Sequence, residues 1–150
     1  MKKVLLGIGY WLIQLTWGIL MTLIGLLVTG FCILFLKGKP HRNGFSYIVE
    51  VGGDWGGLEL GAVSLCGSYS QPNGPCYNPS WYKHTACHEF GHSLQNLWWG
   101  PLFPFVISIP SAIRYWMDRA GKLKSDYEGI WFESQATRLG TKTINWINNK

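Results

Sequence analysis

The chain has 150 residues, enough for one domain, but its composition differs from that of an ordinary soluble domain, with 14% charged residues, 9 Trp and 19 Gly. The net charge of +5 comes from basic residues that are scattered along the chain or lie beside apolar segments. Because no basic stripe or recognised nucleic-acid-binding module is present, the composition argues against nucleic-acid binding.

The first predicted element is an N-terminal membrane segment. Residues 4 to 36 contain no charged side chain, so we assign 1–36 to the lipid bilayer and 37–150 to a separate body. As one straight helix the segment would be about 50 Å long, against roughly 30 Å of hydrocarbon. It is predicted to tilt as a single transmembrane helix or to bend at Gly18 or Gly25 into a helical hairpin, with a buried soluble helix as the alternative. Basic residues flank both ends, and they favour a body that faces the cytoplasm.

A small antiparallel β-hairpin is predicted next. After a polar linker at 37–44, apolar and polar residues alternate over 45–51 and, less cleanly, over 58–66, with GGDWGG between them as a turn. Cys66 and Cys76 bracket the following loop, where they would form a disulfide in an oxidising compartment and stay as thiols in the cytoplasm.

A helix and a proline-rich segment are predicted after this loop. The helix covers 81–98, with Ser80 as its N-cap and Gly100-Pro101 at its end. Residues 97–116, LWWGPLFPFVISIPSAIRYW, are apolar but contain three prolines. We predict that this segment is membrane-associated, as an interfacial or re-entrant element packed beside the helix. A second full span and a plain core element are the alternatives.

The predicted helix carries the motif HEFGH at residues 88–92. Its four-residue spacing places His88 and His92 on one face, one turn apart, so both imidazoles can reach a single ion at about 2.0 to 2.1 Å. Glu89 projects beside them, where it can take a proton from water, and Gly91 leaves room for another element to approach closely. The histidine pair with its intervening Glu indicates a metal site rather than two hydrogen-bonded histidines.

A third ligand must come from elsewhere, because a catalytic zinc needs three protein ligands and an open position for water. His84 lies one turn upstream of His88. In a row of three such histidines the outer two are about 12 Å apart along the helix axis, so His84 is not predicted as a ligand. The downstream acidic candidates are Asp118, Asp126, Glu128 and Glu133.

The choice of Glu133 depends on a resemblance. WFESQATRLG, residues 131–140, resembles the E-x-x-A-(D) helix that supplies the third ligand in gluzincin-type metallopeptidases, including the membrane-bound enzymes that process prenylated proteins and their bacterial heat-shock relatives. The resemblance implies that Glu133 is a zinc ligand, that Ala136 permits close packing, and that the body has a minimal zincin-like helical core. Thr137 stands where such families often have Asp, so the partner that orients the ligand histidine is unassigned. The wider arrangement, with WGGLELG and the proline-rich segment, also resembles that of small bacterial membrane proteins.

These features together predict a mostly helical α+β protein of the bacterial cell membrane that acts as a zinc-dependent metallopeptidase. Its substrate would be a peptide or a membrane-proximal protein segment, aligned along an edge of the hairpin, with Glu89 as the general base. The candidates for the oxyanion stabiliser are His84, Tyr127 and Arg138. Two other classes stay open: a non-catalytic membrane protein with a structural or regulatory zinc, and a partner-binding membrane protein whose histidines bind nothing. The sequence does not indicate the oligomeric state.

Overall fold

The computed structural model describes residues 1–53, 55–67 and 79–149, and these residues form an α+β fold that is mostly helical. The helices are α1 (Lys2–Gln14), α2 (Ile19–Phe35), α3 (Pro79–Trp99), α4 (Ile109–Arg119) and α5 (Trp131–Asn148). The strands are β1 (Lys39–Asn43), β2 (Ser46–Glu50), β3 (Gly57–Leu60) and β4 (Val63–Cys66). The remaining helical turns are two 3₁₀ turns, Gly100–Leu102 and Tyr127–Gly129, and a π-helical turn, Pro104–Ser108. Cys76 lies outside the described residues, so both alternatives for Cys66 and Cys76 stay predictions.

The N-terminal segment forms two helices that meet at an elbow. α1 ends at Gln14, α2 begins at Ile19, and the two helices are bent by 95°. Of the alternatives for 4–36, the single unbroken helix is therefore wrong, and the predicted bend at Gly18 is confirmed. The elbow includes Gly18, where a Cβ would lie only 2.6 Å from Oε1 of Gln14 and 2.7 Å from Nδ2 of Asn96. A side chain there would displace groups of α1 and α3, so the elbow depends on glycine.

The polar side chain of Gln14 is turned inward at this elbow and is completely buried. Its Nε2 donates to the Gly61 carbonyl at 3.2 Å and to the Ser93 carbonyl at 3.0 Å. Its Oε1 accepts from Thr22 Oγ1 at 3.1 Å and from Asn96 Nδ2 at 2.7 Å. This one residue of the apolar segment is hydrogen-bonded to α2, α3 and the turn after β3, and these bonds hold the elbow against the body.

α2 faces the body with small and polar residues and with the core residue Met21. Its buried positions are Met21, Thr22, Gly25, Thr29 and Cys32. At Gly25, the other predicted bend, α2 continues without interruption; a Cβ would overlap the Leu60 carbonyl, so this glycine lets the helix pack directly on the sheet. Large apolar side chains point outward, with Leu27 76% exposed and Leu34 77% exposed. This arrangement is the reverse of that of a surface helix in a soluble domain.

The length of the helices bears on the predicted membrane segment. At 1.5 Å per residue, the 17 residues of α2 extend over about 25 Å. In the part of the chain that the structure describes, no single helix is both long and apolar enough to cross a membrane. α1 and α2 together do meet these criteria, as a bent pair and by length and composition only.

The four strands form one mixed sheet in the order β1-β2-β4-β3. β1 pairs with β2 and β3 with β4 in antiparallel fashion, whereas β2 and β4 run parallel at the centre. The predicted antiparallel pairing of 45–51 with 58–66 is therefore wrong, because 58–66 folds back on itself at Gly61, whose φ of +79° suits a tight turn. The predicted linker 37–44 contains β1, whose exposed polar residues form no alternating pattern at this edge of the sheet.

The predicted helix over 81–98 is confirmed as α3, the central helix of the body. It begins at Pro79, so Ser80 lies in its first turn rather than at its N-cap; proline is well tolerated at the start of a helix. It ends at Trp99, and Gly100 follows with a φ of +47°, as expected for a glycine at a helix C-terminus.

α3 and α5 cross with their backbones in contact. A Cβ on Gly91 would overlap the carbonyl of Ala136, and a Cβ on Gly140 would overlap the carbonyl of Cys87. The close approach predicted at Gly91 and Ala136 is confirmed, and the approaching element is α5. Because no side chains separate the two helices at these points, the first turn of α5 lies directly beside the HEFGH turn of α3.

The proline-rich segment 97–116 is divided into the end of α3, two short turns and most of α4. Pro101 and Pro104 occupy first-turn positions of the 3₁₀ and π-helical turns, where a missing N–H is tolerated. The segment is therefore not one continuous helix, and its membrane association, like the alternative of a second full span, stays a prediction. Phe103 and Ile107 belong to the core. Several other large apolar side chains are exposed: Trp98, Leu102, Phe105, Ile109, Ile113 and Trp116.

Candidate metal centre

Three buried side chains from α3 and α5 converge on one point. His88 and His92 lie one turn apart on α3, and Glu133 lies in the first turn of α5. His88 Nε2 is 3.0 Å from His92 Nε2 and 3.0 Å from Glu133 Oε2, and His92 Nε2 is 3.1 Å from the same oxygen. The structure thus brings together the three predicted ligands as a group that could hold a metal ion.

The hydrogen bonds of His92 show which of its nitrogens carries a proton. Its Nδ1 is 2.8 Å from Oε1 of Gln95. The amide orientation of Gln95 is set by its Nε2, which donates to the Phe132 carbonyl at 2.8 Å and to Gln135 Oε1 at 2.9 Å. Because an amide oxygen only accepts, Nδ1–H of His92 must donate. In the neutral imidazole, the Nε2 lone pair therefore points at Glu133 and His88.

The same reasoning applies to His88. Its Nδ1 is 2.8 Å from Oγ1 of Thr137, and the Thr137 hydroxyl donates to Oε2 of Glu128 at 2.9 Å. A hydroxyl has one proton, so Thr137 accepts from His88 Nδ1–H. The Nε2 of neutral His88 consequently also carries a lone pair towards the convergence point. Thr137, which replaces the Asp of the resembled families, orients the ligand histidine in this chain.

Three acceptor atoms at 3.0 to 3.1 Å from one another repel unless a cation lies between them. The ligand atoms of a tetrahedral ion at about 2.0 to 2.1 Å are roughly 3.3 to 3.4 Å apart, only slightly further than the atoms here. The shifted pKa values of Glu133 and His92 also indicate that the cluster stabilises a positive charge. Burial raises the pKa of Glu133, but the adjacent imidazoles of His88 and His92 outweigh it and lower that pKa well below its usual range. Burial lowers the pKa of His92, yet the Glu133 carboxylate raises it overall, so the cluster favours a positive charge.

Glu89 is buried beside the cluster without belonging to it. Its carboxyl group packs against Gly57 at the start of β3, where a Cβ would collide with that group. Burial raises the pKa of Glu89, the two imidazoles of His88 and His92 oppose this effect, and the Glu133 carboxylate adds to it. A carboxylate whose pKa lies above its ordinary value is a stronger base, as a proton acceptor in catalysis requires.

A cavity of about 210 Å³ opens beside His88, Glu89 and His92. Residues of β3, the π-helical turn and α4 form much of its wall, including Leu58, Ile107 and Trp116. The cavity therefore combines the predicted chemical groups with a largely apolar surround, which is typical of a binding site for an organic substrate.

Of the three predicted candidates for stabilising an oxyanion, Tyr127 is the one that lines this cavity. Its hydroxyl donates to Oε1 of Glu133 at 3.3 Å and is 3.1 Å from Ser111 Oγ. His84 instead contacts Glu128, with 2.5 Å between Nε2 and Oε1, and it lies outside the three-ligand group as predicted. Arg138 is exposed on α5 and does not line the cavity.

Sequence reasoning missed three residues of the site. Gln95 accepts from His92, Glu128 accepts from the Thr137 hydroxyl that contacts His88, and Glu59 places a second buried carboxyl in the cavity wall. Burial, together with the nearby Glu89, raises the pKa of Glu59 well above its ordinary value. Gln95 was detectable, because it lies three residues after His92 on the same helix. Glu59 and Glu128 had no such local signal.

Comparison with known protein families, curated proteins and solved structures gives no match to this chain. The functional interpretation therefore depends on the chain's own residues. The resemblance to gluzincin-type metallopeptidases rests on the motifs HEFGH and ESQA of the sequence alone.

Proposed function

We propose that this protein is a membrane-anchored zinc metallopeptidase of the gluzincin type, which hydrolyses peptide bonds with Glu89 as the general base. The observation that carries the proposal is the convergence of His88, His92 and Glu133 next to Glu89 at one cavity. Two imidazoles and one carboxylate are a donor set that suits zinc. Among the described residues, no fourth His, Cys, Asp or Glu joins the group. Three protein ligands beside a cavity favour a catalytic zinc, because structural zinc sites are closed by four.

The roles of the surrounding residues follow from their positions. A zinc ion bound here would supply a Lewis acid that makes water more acidic and polarises a carbonyl group. Glu89 accepts a proton from the attacking water on its carboxylate and then delivers it to the nitrogen of the leaving amine. Tyr127 lines the same cavity, and its hydroxyl would stabilise the developing oxyanion by turning its proton from Glu133 to the substrate.

β3 is the substrate-binding edge in this proposal. It is the last strand of the sheet, and Gly57 and Leu58 line the cavity. An edge strand offers unpaired backbone N–H and C=O groups to an extended chain. The substrate would therefore be a peptide or an unfolded, membrane-proximal segment of a protein, because a folded helix cannot pair with such an edge.

The membrane anchor is proposed from the outward faces of α1 and α2. The large apolar residues of α2 are exposed while its threonines and Gly25 face the body, as expected for a helix in contact with lipid. The exposed apolar residues of the proline-rich segment extend this surface near the cavity. Basic residues on both sides of the α1–α2 pair favour a body on the cytoplasmic side of a bacterial cell membrane.

The full-length chain should stay with the membrane fraction after washes with high salt and with alkaline carbonate, since an apolar anchor is insensitive to both. The measurement is an immunoblot of pellet and supernatant. A matched variant, Leu27→Lys with Leu34→Lys, places two charges on the exposed face of α2 and should release protein into the supernatant. Recovery of the unmodified chain in the carbonate supernatant would contradict the anchor.

The peptidase activity is tested on the detergent-purified full-length chain with unfolded proteins and a mixed peptide library. Hydrolysis should be detected by mass spectrometry, should stop when 1,10-phenanthroline removes zinc, and should return when zinc is added back. A non-chelating phenanthroline isomer is the control. Cleavage that survives complete zinc removal would contradict the proposal. Zinc binding without cleavage of any substrate would favour a non-catalytic zinc protein instead.

A further inference from the structure

A row of hydrogen bonds runs from the metal cluster to the protein surface. His88 Nδ1 donates to Thr137 Oγ1 at 2.8 Å, and Thr137 Oγ1 donates to Glu128 Oε2 at 2.9 Å. The other oxygen of Glu128 is 2.5 Å from Nε2 of His84. The exposed fraction of the side chain rises from 9% at His88 to 31% at Glu128 and 49% at His84. The row therefore connects a buried ligand atom with a carboxylate that solvent can reach.

We propose that Glu128 is a positioning residue of the metal centre, acting on His88 through the hydroxyl of Thr137. The inference rests on the metal centre of the proposed function but not on peptidase activity. Glu128 does not contact the cluster in this scheme. It determines which nitrogen of His88 is free to bind a metal ion, and its negative charge makes that nitrogen a stronger donor.

The positioning role of Glu128 follows from which atom donates in each hydrogen bond of the row. A carboxylate has no proton, so the bond between Thr137 and Glu128 must use the single hydroxyl proton of Thr137. Thr137 can then only accept from His88, and Nδ1 of His88 must carry its proton. Without Glu128 the hydroxyl is free to turn and donate to Nδ1, and the lone pair of His88 would then lie on the wrong nitrogen.

The charge state of Glu128 agrees with this direction. Burial alone would raise the pKa of Glu128, but hydrogen bonds from His84 and Thr137 outweigh it and lower that pKa. Glu128 lies in the 3₁₀ turn Tyr127–Gly129, which precedes α5. One turn thus supplies both Glu128 to the outer side of the cluster and the Tyr127 hydroxyl to Glu133.

The alternative is that Glu128 only ties this turn to α3 through its contact with His84. A purely structural tie would not require Thr137, and its loss would lower the stability of the protein rather than its affinity for metal. The two roles therefore differ in what they predict for zinc binding by a correctly folded chain.

The test measures the zinc affinity of the detergent-purified full-length chain by competition with a chromophoric chelator. Glu128→Leu, which leaves no acceptor for the Thr137 hydroxyl, and Thr137→Val should each weaken zinc binding by about 10- to 100-fold, the usual effect of losing a residue that orients a ligand histidine. Thr137→Ser retains the hydroxyl and should bind zinc nearly as well as the wild type. Asp126→Asn is the matched control, because it removes an exposed carboxylate next to the same turn and should leave the affinity unchanged.

The double variant Glu128→Leu with Thr137→Val separates a relay from two independent effects. If Glu128 acts through Thr137, the double variant should bind zinc no more weakly than Thr137→Val alone. Losses that multiply would overturn the relay, as would wild-type affinity in Glu128→Leu or an equal loss in Asp126→Asn. Co²⁺-loaded protein gives a second readout, since the visible spectrum should change in both single variants and not in the control.

Folding is checked by thermal unfolding of the metal-free variants, which should match the metal-free wild type. If Thr137→Val does not fold, the comparison of Glu128→Leu with Asp126→Asn decides the question alone. If the variants change the zinc affinity as expected but the chain has no peptidase activity, only the proposed function is contradicted. A wild-type chain that binds no zinc would overturn both proposals.

Discussion

Replacing Glu89 by Gln should lower the turnover number by about 10² to 10⁴-fold while zinc content stays at the wild-type level. Glu89 lies beside the three-ligand group and is not part of it. Gln has nearly the same size and shape, so it fits against Gly57 without a collision, whereas a larger side chain would not. The substitution therefore removes a proton acceptor and leaves the metal ligands in place.

The measurements for Glu89→Gln are turnover on a cleavable peptide, zinc content by mass spectrometry and thermal unfolding of the same preparation. Asp118→Asn is the control, since it makes the same chemical change on the exposed side of α4 and should retain full turnover. Wild-type turnover by a zinc-loaded Glu89→Gln protein would show that the mechanism is wrong even if all three ligands are right.

Replacing either His88 or His92 by Ala should remove most of the bound zinc, from about one ion per chain in the wild type. Each substitution deletes one of the three converging donor atoms and leaves an incomplete site. Because a ligand stabilises the folded state by RT ln(1 + [L]/Kd), zinc should raise the melting temperature of the wild type and not that of either variant. Chelation should correspondingly destabilise only the wild type.

His41→Ala is the control for these two variants. His41 lies on β1 and contacts Glu50, with 3.4 Å between Nε2 and Oε2, away from the cluster. The variant should keep its zinc and its response to chelation. Full zinc occupancy in both His88→Ala and His92→Ala would end the assignment of the metal centre, and with it the proposed function.

Features that depend on local geometry could be predicted from the sequence. The position of α3 followed from its turn-forming and proline-containing flanks, and the side-by-side placement of His88 and His92 follows from helical spacing alone. The need for a small residue at Gly91 was also visible, because a glycine inside a helix costs stability unless another element uses the space. In each case the residues that carry the signal lie within one or two turns of the same helix.

Strand pairing could not be predicted in the same way. β2 and β4 were recognised as extended segments that pair with each other, but the pairing is parallel and not antiparallel as predicted. β1 has the polar sequence KPHRN and lies at an edge with most of its side chains exposed, so it lacks the alternation by which half-buried strands are detected. Parallel pairing at the sheet centre also depends on where β1 and β3 fold back, which no short stretch of sequence encodes.

The sequence by itself determined the pair His88 and His92 with Glu89 between them, and the apolar character of residues 4 to 36, since both are properties of consecutive residues. Only the tertiary structure decided that α1 and α2 meet at 95° and that Glu128 reaches His88 through Thr137. The elbow is held by Gln14 bonds to residues as far away in sequence as Asn96. The path from Glu128 requires α3 and α5 to cross with their backbones in contact. Such arrangements depend on how whole elements pack, because hydrogen bonds between distant residues form only after the helices have taken their places.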